Sequence, residues 1–184
     1  MSSGFGAVMQ HGYIVKDVAQ AAAEWTERVG AGPFYFIDRM PMDQYYFRGV
    51  RTDVELRLAF GYWAGLQIEL IEPLGPADTL YSRALRDAPG KLNHCATVVT
   101  DIDRLLAQRG LEDRVIQSGT MPSGLKFVYL DAYLPGGLHL ELIEATESML
   151  GGFAGMQAVS RQWDGQDPVR PITRLQEDLA RIRQ

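Results

Sequence analysis

Four residues of the 184-residue chain have types and spacing that metal chemistry can use: Gln10, Glu69, His94 and Glu141. Two carboxylates, an imidazole and an amide offer oxygen and nitrogen donors suited to a borderline or hard divalent ion, whether Zn, Ni, Co, Mn or Fe. Glu69 is centred in Leu66-Gln-Ile-Glu-Leu-Ile71 and Glu141 in Leu138-His-Leu-Glu-Leu-Ile143. An ionisable group in such an apolar run is costly to bury without a partner. Four protein donors leave two or fewer positions for substrate or water. A metal so held acts as a Lewis acid, stabilising an enediolate or enolate while a proton leaves carbon. Two carboxylates flanking one carbon are what an epimerisation or a 1,2-proton shift requires, which makes Glu141 and Glu69 the candidate catalytic pair.

An internal repeat relates these residues to one another. Gly65-Leu-Gln-Ile-Glu-Leu-Ile-Glu72 and Gly137-Leu-His-Leu-Glu-Leu-Ile-Glu144 agree at six of eight positions, and a strand followed by a helix-capping aspartate occurs at Asp17 and again at Asp101. Counting back seven from each aspartate gives Gln10 and His94, so His11 corresponds to Cys95. Strand alternation puts Gln10 and His94 on one face and His11 on the other. Glu72 and Glu144 fall three residues after the central glutamates, on the opposite face, and read as solvated strand ends. His11 and His139 read as outward-facing or as neighbours of the ligands, and Cys95 as a small buried hydrophobe.

The elements that must carry these positions follow from periodicity and punctuation. Strands are expected at 10–15, 33–40, 54–62 and 65–71, with a helix over 17–29 closed by Gly30 after the first of them. A short helix near 80–86 leads to Pro89-Gly90, and the order begins again: strand 92–99, helix 101–109, strands near 114–118, 126–130 and 138–143. Each half is thus strand–helix–strand–strand–strand. The fold class is α+β: two tandem βαβββ modules forming a curved mixed sheet or half-barrel around a cleft, plus a C-terminal helical extension. The expected divisions are 1–74, a helical linker 75–90, 91–146 and the extension 147–184. In the extension, Met149, Leu150, Phe153 and Met156 suit a lid over the cleft, a subunit interface or a helix packed outside the sheet. A further helix is expected near 171–183. Tyr45-Tyr46-Phe47 and Tyr62-Trp63 suit either a cleft lining or ordinary packing, and Trp25, Tyr35 and Phe36 lean the same way, toward a bulky apolar or aromatic substrate.

The paired modules resemble the vicinal oxygen chelate superfamily, which includes glyoxalase I, methylmalonyl-CoA epimerase, extradiol dioxygenases and bleomycin-resistance proteins. The resemblance covers about residues 8–145 and rests on Gln10-His-Gly-Tyr-Ile-Val-Lys-Asp17, Gly65-Leu-Gln-Ile-Glu-Leu-Ile-Glu-Pro73, His94-Cys-Ala-Thr-Val-Val-Thr-Asp101 and Gly137-Leu-His-Leu-Glu-Leu-Ile-Glu144. It implies metal ligands on the first and last strands of each module, hence Gln10, Glu69, His94 and Glu141. Many bacterial members carry His where this chain has Gln10, and a one-residue slip would bring His11 in instead. By similarity to glyoxalase I, Glu141 is the ligand that doubles as base. The expected activity is a metal-dependent lyase, isomerase or epimerase acting on a small oxygenated substrate. The alternatives are a sequestering binder of the same fold and, with only one histidine in the set, a less well supported ring-cleaving dioxygenase. The family builds its site within one chain or from two, which suggests a homodimer.

Composition narrows the remaining classes. The net charge is −5, with 18 Lys+Arg against 23 Asp+Glu and no basic run, which argues against a nucleic-acid partner. A single cysteine excludes an intramolecular disulfide and multi-cysteine zinc sites. No apolar run reaches the ~18 residues of a membrane span, and the N-terminal residues lack a signal-peptide pattern, so a cytoplasmic protein is expected.

Overall fold

The computed structural model describes residues 4–183; residues 1–3 and 184, at the ends of the expected first module and the extension, lie outside the described residues. Within them the chain runs β1 (Val8–Ile14), α1 (Val18–Val29), β2 (Phe34–Ile37), β3 (Gln44–Phe47), β4 (Val50–Arg51), β5 (Glu55–Trp63), β6 (Leu66–Leu74), α2 (Leu80–Asp87), β7 (Leu92–Val99), α3 (Ile102–Arg109), β8 (Val115–Thr120), β9 (Lys126–Leu130), β10 (His139–Glu144), α4 (Glu147–Arg161), β11 (Val169–Pro171) and α5 (Leu175–Arg181). One mixed sheet has the order β11-β2-β5-β6-β1-β7-β10-β9-β8-β3-β4. The duplicated halves are β2-β5-β6-β1 and β7-β10-β9-β8, in mirrored order about the antiparallel β1–β7 pair, with Gly12 opposite His94 and Gln10 opposite Ala96.

Alternation divides the sheet into a concave and a convex face. The concave core holds Ile14, Leu56, Leu58, Phe60, Ile71, Phe127, Tyr129 and Ile143. On the convex face, Val18 and Ala22 of α1 cover Ile68 and Leu70, and Ile102 and Leu106 of α3 cover Leu140 and Leu142. Each of the Val, Leu and Ile chains among these gains on the order of 1.5–3 kcal/mol from full burial, which fixes the register and hence the face each polar residue takes.

The helix starts are built twice in the same way. Asp17 accepts from the Gln20 amide and Asp101 from the Arg104 amide, both at 2.9 Å. Glu72 and Glu144, expected as solvated strand ends, do lie on the convex face, but each accepts a hydrogen bond from a first-turn amide: Val18 N at 3.1 Å and Ile102 N at 3.0 Å. The last strand of each half therefore caps the helix of the same half, where a carboxylate meets unpaired amides and the positive end of the helix dipole.

The hairpin β3–β4 and the strand β11 lie outside the expected pattern, and helix α4 opens the expected helical extension. The hairpin β3–β4 leaves β2 and pairs its first strand with β8, Gln44 opposite Thr120 and Phe47 opposite Gln117, so residues 38–43 cross from one edge of the sheet to the other. Its turn is Arg48-Gly49, with φ of 51° and 75°. β11 adds a parallel edge strand beside β2. The glycine-containing stretch after residue 146 is helix α4, which lays Met149, Met156 and Val159 on the concave core. This agrees with a covering of the cleft rather than with a helix on the outer surface. The helix expected over 171–183 is a 3₁₀ turn at Ile172–Arg174 followed by α5. Among the described residues no helix is long and apolar enough to cross a membrane.

Candidate metal centre

Glu69 on β6, His94 on β7 and Glu141 on β10 converge at the base of the concave face, with one candidate ligand atom from each lying within 4.8 Å of the others. His94 Nε2 is 3.2 Å from Glu69 Oε2 and 3.3 Å from Glu141 Oε2. All three are buried, and all come from one chain. The ring reaches them over a bare stretch of the neighbouring strand: a Cβ on Gly12 would stand 1.8 Å from His94 Cε1 and 2.1 Å from Nε2. His94 Nδ1 donates to Asn93 Oδ1 at 3.1 Å, which turns Nε2 toward the carboxylates.

Gln10, the fourth expected residue, is buried on the same face, whereas His11 falls on the opposite face beside Cys95. A chain of hydrogen bonds orients the Gln10 amide. Tyr62 Oη donates to the Phe153 carbonyl (3.0 Å) and accepts from Gln67 Nε2 (2.9 Å), while Gln67 Oε1 accepts from Gln10 Nε2 (2.8 Å). Gln10 Oε1 is consequently buried without a donor. One Nε2–H cannot serve two carboxylates, and Glu141 Oε2 is likewise buried with no hydrogen bond.

The electrostatics are strained in the direction a cation would relieve. Burial pushes the Glu69 carboxyl above its ordinary range, an effect that the hydrogen bond from His94 partly offsets. Burial alone would lower the His94 imidazole, but Glu141 and Glu69 beside it raise it to about 9. Two buried carboxylates against one imidazolium leave an excess negative charge, and two residues that line the overlying cavity, Gln10 and Glu141, each have a buried oxygen without a hydrogen-bond partner. An oxygen-rich set with one imidazole and unpaired buried acceptors fits a divalent ion.

Above the cluster is a small cavity of about 50 Å³. Met40 and Met42 of the crossing segment, Met121 and Leu125 of the β8–β9 turn, and Phe153 of α4 wall it, and no Lys, Arg or His is among its lining residues. Tyr81 and Tyr129 also line it. Their hydroxyls are 3.1 Å apart, and burial holds both phenols well above their ordinary range.

Other expected residues fall elsewhere. Trp25 stacks edge-on against Tyr13 on the convex side, Phe36 lies beneath Arg57, and Tyr35 donates to Asp178 of α5, so none of the three lines the cavity. Trp63 is an exposed strand end, and His139 accepts from the Ala132 amide at the rim. Residues that sequence reasoning did not single out include Gly12, Gln67, Tyr81, Tyr129, Met40 and Met42. Gln67 had a usable signal, since it lies two residues before Glu69 and so shares its face. The two methionines had none, because the crossing of the cleft is a tertiary event.

A sequence profile described as "Glyoxalase/Bleomycin resistance protein/Dioxygenase superfamily" matches residues 9–129. Among curated proteins no significant match is found. Solved structures of similar fold include methylmalonyl-CoA epimerase from Mycobacterium tuberculosis, with 18% identity, a TM-score of 0.56 and coverage of 82% of this chain and 95% of that one. A hypothetical protein from Bacillus halodurans C-125 is similar at 15% identity and TM-score 0.54, over 77% of this chain and 95% of that one. At these identities the likeness is one of fold.

Proposed function

The chain belongs to the glyoxalase/bleomycin resistance protein/dioxygenase superfamily, and on that premise we propose that it is a metal-dependent isomerase or epimerase, or a lyase of the glyoxalase type, acting on a small oxygenated substrate with an apolar or aromatic body. The observation that carries this reading is the buried Glu69–His94–Glu141 cluster at the base of an apolar cavity. Glu69, His94 and Glu141, with Gln10 Oε1, would hold a divalent ion such as Zn, Ni, Co, Mn or Fe. When bound, the ion would neutralise charge developing on two vicinal oxygens of the substrate.

The chain's own residues do the rest. Glu141 takes the proton from carbon, and Glu69, from the other half of the sheet, returns one. The apolar walls keep bulk water from the reacting carbon, while the two carboxylates exchange their protons with solvent between turnovers. A lining without basic side chains favours a small substrate over one carrying phosphates. The cluster supplies one imidazole rather than two, which weighs against ring cleavage by a 2-His-1-carboxylate iron site. In this reading the modules 1–74 and 91–146 each supply half of the centre. The protein is a cytoplasmic homodimer whose site is complete without the second copy.

The test is proton exchange. Metal-loaded protein in D₂O with a panel of α-hydroxy and α-oxo carbonyl compounds bearing alkyl or aryl groups should incorporate deuterium at carbon, and Glu141→Gln should lower the rate at least a hundredfold. Absence of exchange with every metal, together with tight ligand binding by metal-free protein, would overturn the assignment in favour of sequestration.

A further inference from the structure

The two halves of the centre carry the same carboxylate but differ in what faces it. Across β5–β6, Phe60 stands opposite Glu69; across β9–β10, Tyr129 stands opposite Glu141. The mirrored strand order makes these equivalent positions, so the halves differ there by a hydroxyl. That hydroxyl is held by a residue outside the duplicated strands. Tyr81, on α2 between the halves, donates to Tyr129 Oη at 3.1 Å. Both side chains are buried, and both line the cavity.

Since Tyr129 Oη accepts from Tyr81, its own hydrogen must go elsewhere. His94 Nε2, at a long 3.5 Å, carries its own hydrogen toward the carboxylates in the metal-free chain and so does not accept it. Nε2 is also the nitrogen that a bound ion would occupy, and a coordinated nitrogen has no lone pair to offer. The Tyr129 hydrogen would then point at whatever oxygen lies in the cavity, and a buried hydroxyl without an acceptor is costly. We infer that Tyr129 is the hydrogen-bond donor to the substrate oxygen on the His94–Glu141 side, with Tyr81 as the positioning residue that holds it there. The inference rests on the metal-centre reading. It adds that the site is one-handed: the oxygen gathering more negative charge faces Tyr129, and the less charged end of the chelating group faces Phe60.

Benzohydroxamate, a chelating oxyanion with an aromatic body, is a suitable probe, titrated into Co(II)-loaded protein and followed by the visible spectrum of the metal. Tyr129→Phe removes one oxygen at nearly constant volume. The expected result is unchanged Co(II) affinity and a loss of benzohydroxamate affinity of about ten- to a hundredfold, the range for a hydrogen bond to a charged acceptor. Tyr81→Phe should leave Co(II) affinity and the thermal midpoint in place while weakening the probe several-fold, a split that a purely structural role would not produce. Equal benzohydroxamate affinity in wild type and both variants would overturn the donor assignment while leaving the metal centre standing. Wild-type protein that takes up no Co(II) would overturn the metal centre, and the donor assignment with it.

Discussion

His94 reaches the two carboxylates because its partner in the β1–β7 register is a glycine, and that dependence makes Gly12 a direct handle on the site. A methyl at Gly12 would occupy the ring's place, so Gly12→Ala should displace the imidazole. Overpacking of this kind costs about 1–3 kcal/mol. The affinity for a divalent ion, measured by competition with a chromophoric chelator, should fall at least tenfold. An unchanged affinity would mean that the ring is not where the ion binds. The pH dependence has a definite sign. His94 is raised from 6.5 to about 9, so the folded metal-free chain holds a proton that the unfolded chain releases. The associated stability is fully present below pH 6.5 and is lost as pH rises through about 9. Glu69, also raised, acts in the same direction. The thermal midpoint of metal-free protein should therefore fall between pH 6.5 and 9, while the increase produced by added metal should grow, because the ion must displace that proton. A flat metal-free profile would contradict the pairing. Glu69, His94 and Glu141 were legible in the sequence because the repeat fixed both their equivalence and their face. Tyr129 was not, since its relation to Glu141 depends on strand register rather than on any local pattern.

At the scale of elements, the same glutamate does the same work in each half. Glu72 and Glu144 tie the end of the last strand to the start of the module's helix, so the strand that positions Glu69 or Glu141 is anchored to α1 or α3. Glu144→Ala should cost about 1 kcal/mol, a fall of roughly 2–4 °C in the thermal midpoint for a chain of this size, with metal affinity intact. A drop in metal affinity without a change in stability would assign Glu144 to the site instead. The capping aspartates and the closing glycines Gly30 and Gly110 were readable because their signals are local. The hairpin β3–β4 was not, because a four-residue strand is defined by its partner β8, some seventy residues further along the chain. Helix α4 falls within the helical extension expected over 147–184, and of its glycines Gly155 admits Leu179 of α5: a Cβ there would meet Leu179 Cδ1 at 3.1 Å.

In the whole molecule, segments outside the repeat turn an open curved sheet into a cavity. The crossing segment 38–43 spans the two edges, and α4 covers the concave face of the first half. The C-terminal part is tied back to β2 by a buried cluster in which Asp178 accepts from Tyr35 Oη at 2.8 Å and pairs with Arg170 Nη1 at 2.9 Å. Burial works against the Asp178 charge, yet Tyr35 and Arg170 hold its carboxyl below the ordinary range. Through the Phe153 carbonyl the same extension orients Tyr62, Gln67 and finally Gln10, so the far end of the chain bears on the centre of the sheet. At the middle of this arrangement Glu69, His94 and Glu141 are proposed to hold a divalent ion, which metal stoichiometry would reveal. Protein freed of metal, incubated in turn with Zn, Ni, Co, Mn and Fe(II), desalted and assayed by elemental analysis, should retain one ion per chain. His94→Ala and Glu141→Ala, shown to be folded, should retain none. No retained ion in the wild type, or an ion retained equally by both variants, would contradict the account.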